Sequence, residues 1–305
     1  LKKNKKLNKN ELGKKIFLEE IWKWKEESGK KIVNQIKRLG ASPDWSRERF
    51  TLDKDMCNSV NHVFLTLFNK GLIYKDKRII NWDVNLQTAV SDLEVEQKEQ
   101  EGQFVYIKYF LENKKNYLEV ATTRPETLFG DQCLAVNPLD KRYKKFIGKK
   151  VWLPLTNKKI PIIADEYVDK EKGSGVLKVT PAHDFNDYKV GLKHNLKMQI
   201  IFDKYGKFND EVPSKYKGRD RLNSRNEILE DLKATNCLVK VEKITHAIPY
   251  GDRSGSVIEP YLTDQWFLNV KPLAMDVIEK VKNKETNFYP SSWSKTFFNW
   301  MNNIE

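Results

Sequence analysis

Gly173-Ser174-Gly175-Val176-Leu177-Lys178-Val179-Thr180-Pro181-Ala182-His183-Asp184-Phe185-Asn186-Asp187 reads as a strand that stops abruptly at a proline and gives way to a helix. A second run, Ala121-Thr122-Thr123-Arg124-Pro125-Glu126-Thr127, follows the alternating segment Tyr117-Leu118-Glu119-Val120 and ends the same way. Each spills polar side chains where its pattern breaks. With the two strand ends side by side, Thr122, Thr123, Arg124, Lys178, Thr180, His183, Asp184 and Asp187 ring one pocket. The spacing puts Asp184 and Asp187 three apart at a helix start, so both carboxylates face one side.

Working outward, the period alternates on either side of these runs. Phe104 to Phe110 pairs through Glu112 to Lys115 with Tyr117 to Thr122 as a hairpin. Strands are expected at Leu134 to Val136, Lys150 to Leu155, Ile160 to Ala164 and Gly175 to Thr180. Short strands at this spacing argue for a small β-barrel or curved sheet. Gly173 and Gly175 read as a strand-edge bulge, since a dinucleotide fingerprint needs a third glycine and a following helix. Helices are expected from His183 or Asp184 to Lys193 and from Arg221 to Asn236, and a strand from Val239 to His246.

The flanks read differently. Glu11 to Leu39 has apolar residues at helical spacing and Gly40 as its stop. Asp53 is expected to cap a helix running to Gly71. Leu72 to Tyr74 and Arg78 to Asp83 read as extended pieces around a Lys75-Asp76-Lys77 turn. The Glu, Gln and Lys run from Leu93 to Gly102 is a candidate linker, and a second boundary falls near Pro249. Three parts follow: 1–96, 97–248 and 249–305. The fold class is α+β / α/β, with a β-barrel-like middle and mostly helical flanks.

At 305 residues the chain is long enough for a sizeable core, and 32% charged residues leave a heavily charged surface. No run of about 18 apolar residues exists, so no membrane-spanning helix is expected. The basic start, Leu1 to Lys6, has no apolar stretch behind it and is not a secretory signal. The first residue is not Met, which reads as a chain cut from something longer. The net charge of +13 points to a polyanionic partner, but Lys outnumbers Arg 45 to 10, as a compositional bias would also give. Cys57, Cys133 and Cys237 lie far apart, so neither a disulfide framework nor a zinc site is readable. A reducing, cytoplasmic setting is expected.

The chain also resembles the valyl branch of the class I aminoacyl-tRNA synthetases over essentially its whole length. The runs that carry this are Gly40 to Thr51, Asn81 to Asp83 with Ser91 to Glu96, Ala121 to Gly130, Ile160 to Asp169 and Val179 to Tyr188. The set is completed by Tyr250 to Gly255, Ile258-Glu259-Pro260 and Asp264 to Phe267. Leucyl and isoleucyl relatives look similar in the threonine- and glycine-rich runs. Arg124-Pro125-Glu126-Thr127 and Gly251-Asp252-Arg253-Ser254-Gly255 favour the valyl branch. No His-x-Gly-His or Lys-Met-Ser-Lys-Ser run occurs, and those are the family's ATP-handling signatures.

The resemblance implies an inserted editing domain at 97–248, flanked by parts of a Rossmann-type catalytic domain. It implies hydrolysis of tRNA mischarged with threonine, with valine-accepting tRNA as partner and a monomeric protein. No cofactor or metal is expected in this segment, while ATP and Mg serve the full-length enzyme. Asp187 suits the α-ammonium of the aminoacyl group, and Asp184 the threonine hydroxyl or a water. Arg124 and Lys178 would offer positive charge, and Thr122, Thr123 and Thr180 short hydroxyls. His183 is either a base or a satisfied framework residue. Asp184 and Asp187 also suit a helix N-terminus for purely structural reasons. The rival without chemistry is a basic tRNA-binding module with a dead pocket.

Overall fold

A computed structural model describes residues 12–304, so the basic start and Glu11 lie outside the described residues. In chain order the elements are α1 (Lys14–Arg38), α2 (Lys54–Asn69), β1 (Ile73–Asp83), β2 (Thr88–Val90), β3 (Val95–Phe110) and β4 (Tyr117–Thr122). Next come β5 (Cys133–Val136), β6 (Lys150–Trp152), β7 (Lys159–Ala164), β8 (Val176–Val179) and α3 (Phe185–Lys193). The chain finishes with α4 (Arg225–Ala234), β9 (Leu238–Gly251), β10 (Glu259–Leu268), α5 (Lys271–Lys282) and α6 (Trp293–Asn302). The described residues form two compact units that meet in sequence between Ile73 and Tyr74.

This is a mixed α+β fold whose strands form three small sheets, ordered β10-β1-β2, β4-β3-β9 and β6-β7-β5-β8. No ladder among the described residues closes them into a barrel. Just ahead of β8, the Ser174 hydroxyl donates to the Glu119 carbonyl of β4 at 2.5 Å. Alternation still does its work, because the inward residues share one core. Val105, Ile107 and Tyr109 of β3, Leu118 and Val120 of β4, Leu134 and Val136 of β5, and Ile162 of β7 all lie in it. The hairpin pairs as the pattern predicts, with Val105 opposite Thr122 and Phe110 opposite Tyr117.

Several expectations are corrected. The Leu93 to Gly102 run is no linker from Val95 onward: it is the first half of β3, paired with β9 from Val95–Gly251 to Gly102–Ile244. The β3 side of this ribbon is exposed from Glu96 to Glu101, so nothing selects an apolar alternation along it. β9 likewise continues through Pro249 to Gly251. Lys75-Asp76-Lys77 makes no turn, since β1 runs straight through it with those side chains exposed. Asp53 occupies the cap position of α2, yet its carboxylate accepts the Phe50 N–H at 2.9 Å instead of a helix N–H. Gly173 and Gly175, at φ 61° and 79°, form a turn ahead of β8 and not a bulge within it.

No helix of the described residues is long and apolar enough to cross a membrane. Nor do they contain a group of three or more His, Cys, Asp or Glu side chains placed to hold a metal ion.

Candidate functional site

β4 and β8 end beside each other, and the segments that follow them turn away from the core. The cavity between those ends has a volume of about 290 Å³. Thr122, Thr123, Arg124, Lys178, Thr180, His183, Asp184 and Asp187 all line it, so the strand ends bring the whole predicted set together. Phe104, Tyr167, Lys172, Leu177 and Asn186 complete much of the wall. Thr123, Arg124 and Asp184 also border a larger cavity of about 700 Å³.

The helix side is built on Asp184, the N-cap of α3, whose Oδ1 accepts the N–H groups of Asn186 at 2.8 Å and Asp187 at 3.1 Å. Its Oδ2 takes neither bond. Asp187, in the first turn, is buried, and its Oδ2 accepts the Thr180 N–H at 2.8 Å. Burial, and then the neighbouring Asp184 charge, push the Asp187 carboxyl up to about 7 against the pull of Lys178 and the Thr180 N–H. The cavity thus holds a carboxyl poised to change charge near neutrality.

The floor is a polar network that sequence reading did not foresee. Lys178 is buried, and its ammonium donates to Thr127 Oγ1 at 2.7 Å, Asp131 Oδ1 at 2.9 Å and Thr180 Oγ1 at 2.6 Å. Those are all the protons it has. Thr180 passes its own hydroxyl proton to Asp131 Oδ1 at 2.6 Å, and Tyr109 donates to Asp131 Oδ2 at 2.6 Å. Asp131 is the hub, and its signal lies in contacts 22, 47 and 49 residues away along the chain.

The third wall is an ion network. Arg124 donates from Nε to Glu126 at 3.0 Å, from Nη1 to the His183 carbonyl at 2.9 Å, and from Nη2 to both oxygens of Glu259 at 2.8 and 2.7 Å. Arg225 makes a two-pronged contact with Glu126, with both bonds at 2.8 Å. Burial works against both carboxylates. Arg124 and Arg225 nevertheless hold Glu126 below the usual range, while Arg124, His183 and Arg221 hold Glu259 down at about 2. The charge of Arg124 is therefore met by two carboxylates before any ligand arrives.

His183 is buried and its Nε2 accepts the Ile201 N–H at 3.0 Å. That fixes the proton on Nδ1, which faces Glu259 Oε1 at 3.5 Å. Burial holds the imidazole below its ordinary pKa. Thr122 is also committed, accepting the Arg124 N–H at 3.0 Å.

The family model described as tRNA synthetases class I (I, L, M and V) matches residues 1–305. The chain belongs to that family. Among its relatives, the valine--tRNA ligase of Pelagibacter ubique (strain HTCC1062) is 52% identical over 98% of this chain and 34% of that protein. Those of Legionella pneumophila (strain Lens) and Staphylococcus carnosus (strain TM300) are 50% and 48% identical, again over 98% of this chain, and over 32% and 34% of theirs. The chain spans about a third of the length of these curated relatives. Among solved structures, agnB2 LeuRS of Agrobacterium radiobacter K84, in a ternary complex with tRNA and LeuAMS, is 17% identical with a TM-score of 0.38. That match covers 74% of this chain and 36% of that one.

Proposed function

We propose that this chain carries the hydrolytic editing site of a valine–tRNA ligase, releasing threonine from mischarged valine-accepting tRNA. One observation supports this above the others: the eight residues of the two motif runs line a single cavity near the lower end, about 300 Å³, of small-molecule sites. A second site is needed because an apolar pocket rejects an isostere with an added hydroxyl by only about a hundredfold, a figure established on this very pair of amino acids. A polar cavity inverts the preference, since valine would leave buried acceptors unpaired at roughly 1–3 kcal/mol each.

In this reading the α-ammonium pairs with Asp187, whose Oδ1 is left over from the Thr180 bond. The threonine hydroxyl, or a water, meets Asp184 Oδ2. Water adds to the ester carbonyl and the carbonyl–ribose oxygen bond breaks. The ribose oxygen leaves as a hydroxyl carrying the proton, with the neighbouring ribose hydroxyl assisting. Arg124, Lys178 and His183 hold the walls: their bonds to Glu259, Glu126, Asp131 and the Ile201 N–H leave them little to offer a ligand.

The parts 1–96 and 249–305 belong to the Rossmann-type catalytic domain around the editing domain at 97–248. The exposed apolar side chains of α1, α2, α5 and α6, such as Trp24, Val60, Met275 and Trp300, support this. ATP and Mg serve only the full-length enzyme, and tRNA is the partner of both sites. The deciding experiment follows threonine release from mischarged valine tRNA by the 305-residue chain. Binding of tRNA with steep salt dependence but no release would favour a dead tRNA-binding module instead.

A further inference from the structure

Glu259 stands outside both motif runs, at the start of β10, yet it touches two walls of the cavity at once. It is 1% exposed. Its two oxygens take Arg124 Nη2 at 2.8 and 2.7 Å, and Oε1 faces His183 Nδ1 at 3.5 Å. Arg124 closes the triangle by donating from Nη1 to the His183 carbonyl at 2.9 Å. Behind it, Arg221 donates to Glu259 Oε2 at 2.8 Å and to the Val257 carbonyl at 3.0 Å.

We propose that Glu259 is a positioning residue of the editing cavity, fixing the end of β4 through Arg124 and the entry to α3 through His183. This rests on the editing reading above. The argument is geometric. Arg124 begins the turn after β4 and directly follows Thr122 and Thr123. His183 directly precedes Asp184, so anchoring its ring and its carbonyl sets where the α3 carboxylates begin. Among side chains a carboxylate suits this place, because it accepts twice from the Arg124 guanidinium and presents no donor to repel the His183 Nδ1–H 3.5 Å away. The cavity is then complete only when the β10 segment is seated, a dependence that no residue of 97–248 reveals.

The test uses the 305-residue chain and its Glu259→Gln variant, with two readouts. One is single-turnover threonine release from mischarged valine tRNA, resolved into maximal rate and half-saturating concentration. The other is the ¹⁵N–¹H signal of the buried His183 Nδ1–H. E259Q is expected to slow the maximal rate roughly 10- to 100-fold while half-saturation stays within about twofold, and to move the imidazole signal. Unchanged maximal rate with an unmoved signal overturns the proposal, even if the variant melts earlier. Should E259Q fail to fold, Glu259→Asp keeps the charge but withdraws it by one methylene, and the same two readouts decide. If the unaltered chain releases no threonine, the editing reading fails on its own. The imidazole signal then judges whether Glu259 holds His183.

Discussion

Asp187 Oδ2 accepts the Thr180 N–H at 2.8 Å, tying the first turn of α3 to the residue just after β8. The bond spends one carboxylate oxygen on structure and leaves the other for a ligand. It also explains why a carboxyl raised by burial to about 7 is retained in a folded wall.

That elevation carries a sign. Between about pH 4 and 7 the folded chain keeps on Asp187 a proton that the unfolded chain has released, so stability falls as pH rises through this window. Asp187→Asn removes the penalty and keeps an acceptor for Thr180. It should raise the melting temperature more at pH 8 than at pH 5. Three pKa units at about 1.4 kcal/mol each set a ceiling near 4 kcal/mol, and relaxation should leave roughly 1–2. The same variant should lose threonine release by about 100-fold. The activity of the unaltered chain should climb with pH toward 8 as the carboxylate forms. A D187N protein with full release would remove Asp187 from the site.

The buried pair at the floor makes a separate prediction. Asp131→Asn leaves the Lys178 ammonium facing Thr127 and Thr180 without a counter-charge. Breaking such a pair from one side costs about 3–5 kcal/mol. Removing both charges together, with Lys178→Met and Asp131→Leu, should recover a large part of that loss in urea titrations. Equal losses for the single and double variants would mean the pair carries no mutual charge stabilisation.

What the sequence made legible follows from how local each signal is. Asp184 and Asp187 announce themselves because a helix start and a spacing of three are short-range facts, and Thr122 and Arg124 because their strand ends in the next residues. The hub roles of Asp131, Glu126 and Glu259 are not readable, because each rests on at least one partner 38 to 135 residues away. The polar half of β3 was hidden for another reason. A strand whose side chains are exposed on both sides is held by ladder bonds, which any side chain permits. Lys75 to Lys77 looks like a turn because exposed strand residues and turn residues share a composition. The same limit applies to Gly173 and Gly175, where spacing reveals positive φ but not whether a turn or a bulge uses it.

Asp184 allows capping to be separated from chemistry. Its Oδ1 accepts two helix N–H groups, which Asn can also serve and Ala cannot. Asp184→Ala should cost about 1 kcal/mol in stability, and Asp184→Asn no more than a few tenths. If the carboxylate receives the threonine hydroxyl or the water, both variants should slow threonine release, D184N without the loss in stability. Full release by D184N would confine Asp184 to the cap.

Gly130 sits beneath the floor, where a methyl group has no room. A Cβ there would lie 2.9 Å from Thr180 Cγ2 and 3.5 Å from two Ile201 carbons. Thr180 cannot rotate aside without giving up its bonds to Lys178 and Asp131, so the collision moves the β8 end itself. Gly130→Ala should therefore cost about 1–3 kcal/mol and displace Thr180 in the cavity wall, lowering threonine release beyond what the stability change explains. Gly29, inside α1 with only Lys25 Cγ at 4.0 Å, is the matched control. There Ala should add about 0.5–1 kcal/mol by helix propensity and leave release untouched. Equal behaviour of the two variants would show that Thr180 has slack, and that the floor of the cavity is less rigid than its hydrogen bonds require.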